Sequence, residues 1–362
     1  MLGAASATRG DRRSGSSRIR SFDYLRAIVI VLLLVHHGGI YRYSVIGVPL
    51  KNFELLIEAF LLGGFVFLSG YLAVESFDRT AGQDPGRFLL ARFWRIYPPY
   101  LLALLLFGTI VGVTLDGSDW LAHILGLQMP LVPAVEKVAK TVWYVGMIWV
   151  FFIMAAVALY IWKRPAGLLA AFAVIYAGAW FVHLRWGWLD SRLLYFFPVF
   201  ALAIVIAKGQ WLPRILSARF FHLEKAGLAV LAALILLAFP QASQFGTDDL
   251  LAVGAYTFFV IAACILALAL LEPVAARRIV YRSVVVLSVA SFFIYLFHRP
   301  IWISVLAVFP QETHGREFLV RMLVATPIVI AVSYLLQIAY NRLLGRWQGS
   351  GGRAAGGMAS SA

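Results

Sequence analysis

Phe22-Asp23-Tyr24-Leu25-Arg26, then nine apolar residues, then His36-His37-Gly38-Gly39 is the stretch that decides how this chain is read. The run is long enough and apolar enough to begin a bilayer-spanning helix, which needs about 20 such residues. A fixed cation and an imidazole are both costly inside a membrane, so Arg26 and the histidines are functional candidates at once. Helical phase then separates the two histidines. Arg26 and His37 are eleven residues apart, about three turns plus 20°, so they share one face and stand about 16 Å apart along it. His36 points about 80° away from that face, and His37 is the candidate.

The rest of the chain has the same character. Of its 362 residues, 62% are hydrophobic and 13% charged, and mean hydropathy is +0.86. Soluble domains carry about 25% charged residues. The fold class is therefore all-α: a polytopic membrane protein of about ten transmembrane helices. The spans lie near 22–42, 55–75, 96–115, 143–162, 166–183, 193–208, 226–240, 249–271, 284–308 and 319–342. Residues 1–20 read as a basic, disordered tail without the apolar core of a signal peptide. Residues 21–344 form one membrane bundle, and 345–362 a disordered Gly/Ala/Ser-rich tail. The single cysteine, Cys264, excludes a disulfide framework or a cysteine-based metal site, and no metal site is expected.

A net charge of +14 raises the question of nucleic acid, but the distribution answers it. Alternate connections differ sharply in basic content, and the basic set includes both termini. The positive-inside bias puts that set, and both termini, in the cytoplasm. The charge is mostly topology, and the partners expected are membrane lipids, not nucleic acid.

Three further segments carry polar chemistry. Arg92-Phe93-Trp94-Arg95-Ile96-Tyr97-Pro98 opens the third span, and Asp84-Pro85 marks a helix start just before it. Arg92 and Arg95 share a face and suit either a phosphate gripped by two guanidiniums or lipid headgroups. Gly63 to Leu72 holds small residues that allow close helix approach, and Ser69 that can bond across an interface. Glu58, near the outer end of the same span, sits at a depth similar to His37. A carboxylate there either orients the imidazole as a base or lies in interfacial water. Ser291 to Pro300 includes Tyr295 and His298, which share a face, and Arg299. Trp143-Tyr144 and Trp149 read as interfacial anchors. His123, His183, His222 and His314 fall in connections or at span ends and read as solvated.

Taken together, these segments resemble the acyltransferase-3 family of integral membrane acyltransferases. The family's "L-D-x-L-R" with a following His is matched by Phe22 to Arg26 and His37. Its "F-F-x-x-S-G-Y/F-L" is matched by Phe65 to Leu72, with Val66 in place of the second Phe. Its "R-x-x-R-I-x-P" is matched by Arg92 to Pro98, and its late "S-x-x-I-Y-L-x-H-x-P" by Ser291 to Pro300. The order agrees, and the resemblance covers roughly 20–343. The family's "W-S/T-L-x-x-E" is not reproduced: Trp143 to Ile148 contains no Glu, which sets this chain in a different branch.

The resemblance implies transfer of an acyl group, commonly acetyl, from acyl-CoA to a hydroxyl of a glycan or lipid-linked acceptor, in a bacterial cytoplasmic (inner) membrane. It implies a catalytic role for His37, as base or nucleophile, donor binding for Arg92 and Arg95, and a place in the site for Arg26. The residues' own placement adds Glu58 as a catalytic candidate and Ser69, Tyr295 and His298 as substrate-lining candidates. Acyl-CoA is a donor substrate, and no cofactor is held permanently. The alternative is a transporter or flippase that uses the same polar residues as a proton relay.

Overall fold

A computed structural model describes residues 19–45, 47–131, 141–217, 222–240, 242 and 249–357. The tails before 19 and after 357 lie outside the described residues. Thirteen helices are described: α1 (Arg20–Gly38), α2 (Glu54–Arg79), α3 (Pro85–Thr109), α4 (Gly117–Ile124), α5 (Trp143–Ile161), α6 (Pro165–Trp186), α7 (Ser191–Lys208), α8 (Trp211–Ser217), α9 (His222–Leu237), α10 (Leu250–Ala276), α11 (Tyr281–Val308), α12 (His314–Val320) and α13 (Thr326–Gly357). A π-helical turn, Arg321–Ala325, joins the last two. The one sheet among the described residues is a short antiparallel hairpin of β1 (Ser44–Val45) and β2 (Val48–Pro49), with Ser44 opposite Pro49. The protein is an all-α polytopic membrane protein, as its sequence indicates.

Local chemistry sets the ends that matter. Gly39, with φ 92°, turns out of α1 directly after the histidines, and its N–H closes on His36 O and Val35 O. That left-handed cap suits glycine; it ends the helix at Gly38, earlier than a span of 22–42, and leaves His37 in the last turn. Asp84 caps α3, accepting from Gly86 N at 2.7 Å and Arg87 N at 3.3 Å. Pro85 follows at the position where its missing N–H costs nothing. At the other end, α13 stays helical to Gly357, past residue 344 where the sequence reading ended the bundle.

Nine helices among the described residues are long and apolar enough to cross a bilayer. The tenth expected span, α9, has 16 residues, about 24 Å of helix. Connectivity shows that it crosses all the same. Lys208 at the end of α7 bonds Asp78 near the end of α2 at 2.9 Å. Just past the end of α10, the Ile279 carbonyl accepts from the Tyr24 hydroxyl of α1's first turn. Phe22 packs edge-on against Tyr71 at 4.9 Å, so the start of α1 and the end of α2 share one end of the bundle. Both α7 and α10 therefore finish at the basic face, and α10 has to begin at the opposite one. α9 (His222–Leu237) is the one long helix described between those two ends and takes the place of the crossing. Tyr340 of α13 reaches the Trp94 carbonyl near the start of α3. The last helix thus returns to the basic face as well.

The first two helices form the centre, with α7, α10 and α11 around them. Glycines set the spacing. A Cβ on Gly64 would lie 2.9 Å from Val29 Cγ1 of α1, and one on Gly70 2.5 Å from the Phe200 carbonyl of α7. This is the small-residue packing expected where lipid supplies no hydrophobic drive between helices. By contrast α6 and α13 turn mostly apolar faces outward, Val174 and Leu335 among them, as lipid-facing helices do.

Candidate active site

Four helices each contribute a stripe of mixed polar and apolar side chains to one axis through the bundle. On α2 the stripe is Leu62, Phe65, Ser69, Leu72 and Ser76; on α3, Arg92, Arg95 and Ile96; on α11, Ser288, Ser291, Phe292 and Tyr295. All follow the three- and four-residue spacing of one helix face. With Arg26 of α1 they enclose a cavity of about 570 Å³, within the usual range for small-molecule sites.

The lower end of this cavity lies at the basic face and is rich in guanidinium. Arg26, Arg79, Arg92 and Arg95 line it, set against the carboxylates of Asp23 and Glu75. Arg79 and Arg95 are exposed at its mouth. Deeper in, Arg92 donates to the Leu72 carbonyl at 3.4 Å. It is flanked by the rings of Phe152 at 4.7 Å and Phe88 at 5.3 Å, contacts that hold a cation by its π-face attraction. Arg92 is thus built into the cavity wall, where a lipid anchor would face outward. Arg26 is held by a buried network. Ser288 Oγ donates to Asp23 at 2.8 Å and receives Arg26 at 3.4 Å, and Tyr281 also donates to Asp23 at 3.4 Å.

The upper end is lined by Tyr295, Tyr144, Phe65 and Leu62. The Tyr295 hydroxyl donates to the Thr141 carbonyl, and its ring lies 5.6 Å from that of Tyr144. Tyr144, read from sequence as an interfacial anchor, is in fact a buried cavity residue. The bond to Thr141 draws the start of α5 into the bundle.

One turn above Tyr295, on the same face of α11, stands His298, fully buried. Its Nε2 is 2.9 Å from His37 Nδ1, with the two rings nearly parallel at 10°. His298 Nδ1 lies 2.8 Å from the Tyr295 carbonyl and 3.2 Å from that of Ile294. Carbonyls only accept, so Nδ1 carries the His298 proton and Nε2 is the acceptor. His37 Nδ1 then donates, and His37 Nε2 is left with a lone pair. Pairing of this kind fixes the tautomer of the outer ring.

The structure thus sorts the sequence-derived residues into two groups. Arg26, Ser69, Arg92, Arg95 and Tyr295 line the cavity; His37 and His298 pair above it. The orienting partner of His37 is His298, where the sequence reading put Glu58. Glu58 continues the α2 stripe one turn beyond Leu62, within electrostatic reach of Tyr256 and Glu54. Asp23, Glu75, Ser76, Arg79, Ser288, Gln337 and Asn341 also line the cavity and were not among the sequence candidates. Gln337 and Asn341, bonded at 2.9 Å, were detectable as an i,i+4 polar pair inside an apolar helix. His123, expected to be solvated, is fully buried, with Nδ1 2.7 Å from the Asp119 carbonyl. Burial pushes its pKa below the ordinary imidazole value.

An all-α membrane bundle with an arginine-lined cavity of small-molecule size and a histidine pair above it defines a class: an integral membrane protein with a polar site inside its helix bundle. The family model described as an acyltransferase domain matches residues 19–338, and the chain belongs to this family, acyltransferase-3. It is accordingly a membrane acyltransferase. A search among curated proteins finds no match.

Proposed function

We propose that the protein moves an acyl group, acetyl by preference, from acyl-CoA to a hydroxyl of a glycan or glycolipid in a bacterial cytoplasmic membrane. The observation that carries the reading is the junction at Tyr295. Its side chain lines the cavity, and its carbonyl accepts the His298 Nδ1–H hydrogen bond that sets His37 up as a base.

In this reading the donor enters from the basic face. Its phosphates meet Arg92, Arg95 and Arg79, the charge-assisted pairing guanidinium favours. Arg26 stands about 16 Å from His37 along the helix, so it acts on the donor's charged portion and not on the reacting carbon. The pantetheine arm spans that distance toward Tyr295. At the top, the acceptor hydroxyl loses its proton to His37 Nε2 as its oxygen attacks the thioester carbon. The tetrahedral adduct collapses, the carbon–sulfur bond breaks, and the CoA sulfur recovers the proton from His37. One ester and one CoA thiol result. His298 accepts from His37 Nδ1–H throughout, which favours the imidazolium formed in mid-reaction. Ser69 and Tyr144 line the path of the arm. Glu58 lies at the outer end of the same axis, on the face of α2 that carries Ser69.

Radiolabelled acetyl-CoA given to purified protein with a glycan acceptor tests this. Label transfer with stoichiometric CoA release is expected from wild type and not from His37→Ala. Full transfer by His37→Ala, or flux of glycan across vesicles without CoA release, would sink the assignment.

A further inference from the structure

Beyond the histidine pair, on its outer side, lies a group of donors that neither the cavity nor the proton path uses. Arg299 follows His298 in sequence. Trp302, one turn on, packs edge-on against His298, ring centroids 5.1 Å apart at 84°. Arg321 opens the π-helical turn Arg321–Ala325, with its guanidinium 5.9 Å from the Trp302 ring. The same turn is pressed against the end of α1. A Cβ on Gly38, next to His37, would lie 2.7 Å from Met322 Cε. Arg299 is within electrostatic reach of Arg321, His36 and His37.

Three features of this group call for a ligand. Two guanidiniums are held near each other, half-buried, although like charges repel. A carboxylate, Glu317, pairs with Arg321 and leaves Arg299 to be balanced. Three buried N–H groups of the cluster have no acceptor: Arg299 Nε, Trp302 Nε1 and Arg321 Nε. Buried donors in native proteins are rarely left so, and a π turn in a helix commonly marks a functional site. An oxyanion supplies both the charge and the lone pairs that this group lacks.

We propose that Arg299, Arg321 and Trp302 form a subsite for an oxyanion on the acceptor, the carboxylate or phosphate of an acidic sugar. The subsite holds that sugar so that a neighbouring hydroxyl faces His37 Nε2. This names the acceptor class for the acyl transfer proposed above and rests on that reading.

Thermal stability of the purified full-length protein tests it. The ligands are glucuronate, glucose 1-phosphate, neutral methyl glucoside and short-chain phosphatidylglycerol, with CoA as a separate arm. Glucuronate or glucose 1-phosphate is expected to stabilise wild type saturably, and methyl glucoside not. In Arg299→Gln and Arg321→Gln the affinity for the acidic sugar falls about tenfold or more, while Arg321→Lys retains part of it. Stabilisation by CoA persists in these variants and reports an intact fold and donor cavity. Trp302→Phe, which removes only an N–H donor, weakens the acidic sugar several-fold. The proposal is overturned if neither acidic sugar binds wild type, if the Gln or Phe variants bind it as wild type does, or if only phosphatidylglycerol gives an arginine-dependent effect. Failure of CoA to bind wild type would instead strike the acyltransferase reading, since that arm uses the other end of the molecule.

Discussion

The two ends of the polar axis are built on opposite principles. The lower end is wide, open at the basic face, and lined by four guanidiniums whose charge is fixed. The upper end is narrow and packed, with its central pair of imidazoles joined at 2.9 Å and tied to a main-chain carbonyl. Fixed charges in a roomy cavity suit binding, since they meet phosphates without needing to change state. A buried imidazole paired with a half-buried one, both of defined tautomer, suits proton transfer, where a change of state is the point. The comparison teaches that affinity and chemistry are housed apart, about 16 Å along one helix face, and joined only at Tyr295.

Separable ends make separable mutants. The largest effect is expected from His37→Ala: loss of a general base lowers kcat about 10²- to 10⁴-fold, while CoA affinity measured by equilibrium binding stays as in wild type. A parallel loss of CoA binding would merge the two ends into one site. Next comes Arg92→Ala. Loss of a charge-assisted contact of about 1.5–3 kcal/mol raises the KM for acyl-CoA by one to two orders of magnitude, with kcat little changed at saturation. An unchanged KM would return Arg92 to a structural role between Phe88 and Phe152.

A smaller effect is expected from His298→Phe, which removes the acceptor for His37 Nδ1–H but leaves the base in place. Here kcat falls about tenfold, the worth of an ordinary buried hydrogen bond, and His298→Gln restores part of it by offering a carbonyl oxygen. Activity unaffected by His298→Phe would leave His37 acting alone. The smallest is Ser288→Ala. It removes the Ser288 hydrogen bonds to Asp23 and Arg26 and raises the KM for acyl-CoA a few-fold, about 0.5–1.5 kcal/mol, without touching kcat.

How much of this the sequence carried depends on whether the information was local. Arg26 and His37 belong to one helix, so their shared face followed from phase alone. Asp84-Pro85 announced α3 because the cap and the ring act within one turn. The partner of His37 was not legible, because His298 is 261 residues away and meets it only through the packing of α1 against α11. Depth alone suggested Glu58, which occupies a matching level on α2 without the hydrogen bond. Tyr144 was misread for a related reason. Its neighbours Trp143 and Trp149 look like an interfacial belt, but Tyr295 holds Thr141, three residues before Tyr144, inward. The tenth crossing was visible as hydropathy yet fell short as a helix. Only the ends of α7 and α10, fixed by Lys208 and Ile279, show that the chain crosses there.

Sidedness tests the central claim most directly. In sealed vesicles with the protein in one orientation, acetyl-CoA is supplied to one face and acceptor to the other. Acetylated acceptor is expected only when acetyl-CoA is on the face of Arg79, Arg92 and Arg95 and the acceptor is on the face of His37. Product formed when both substrates are confined to the basic face would contradict the account.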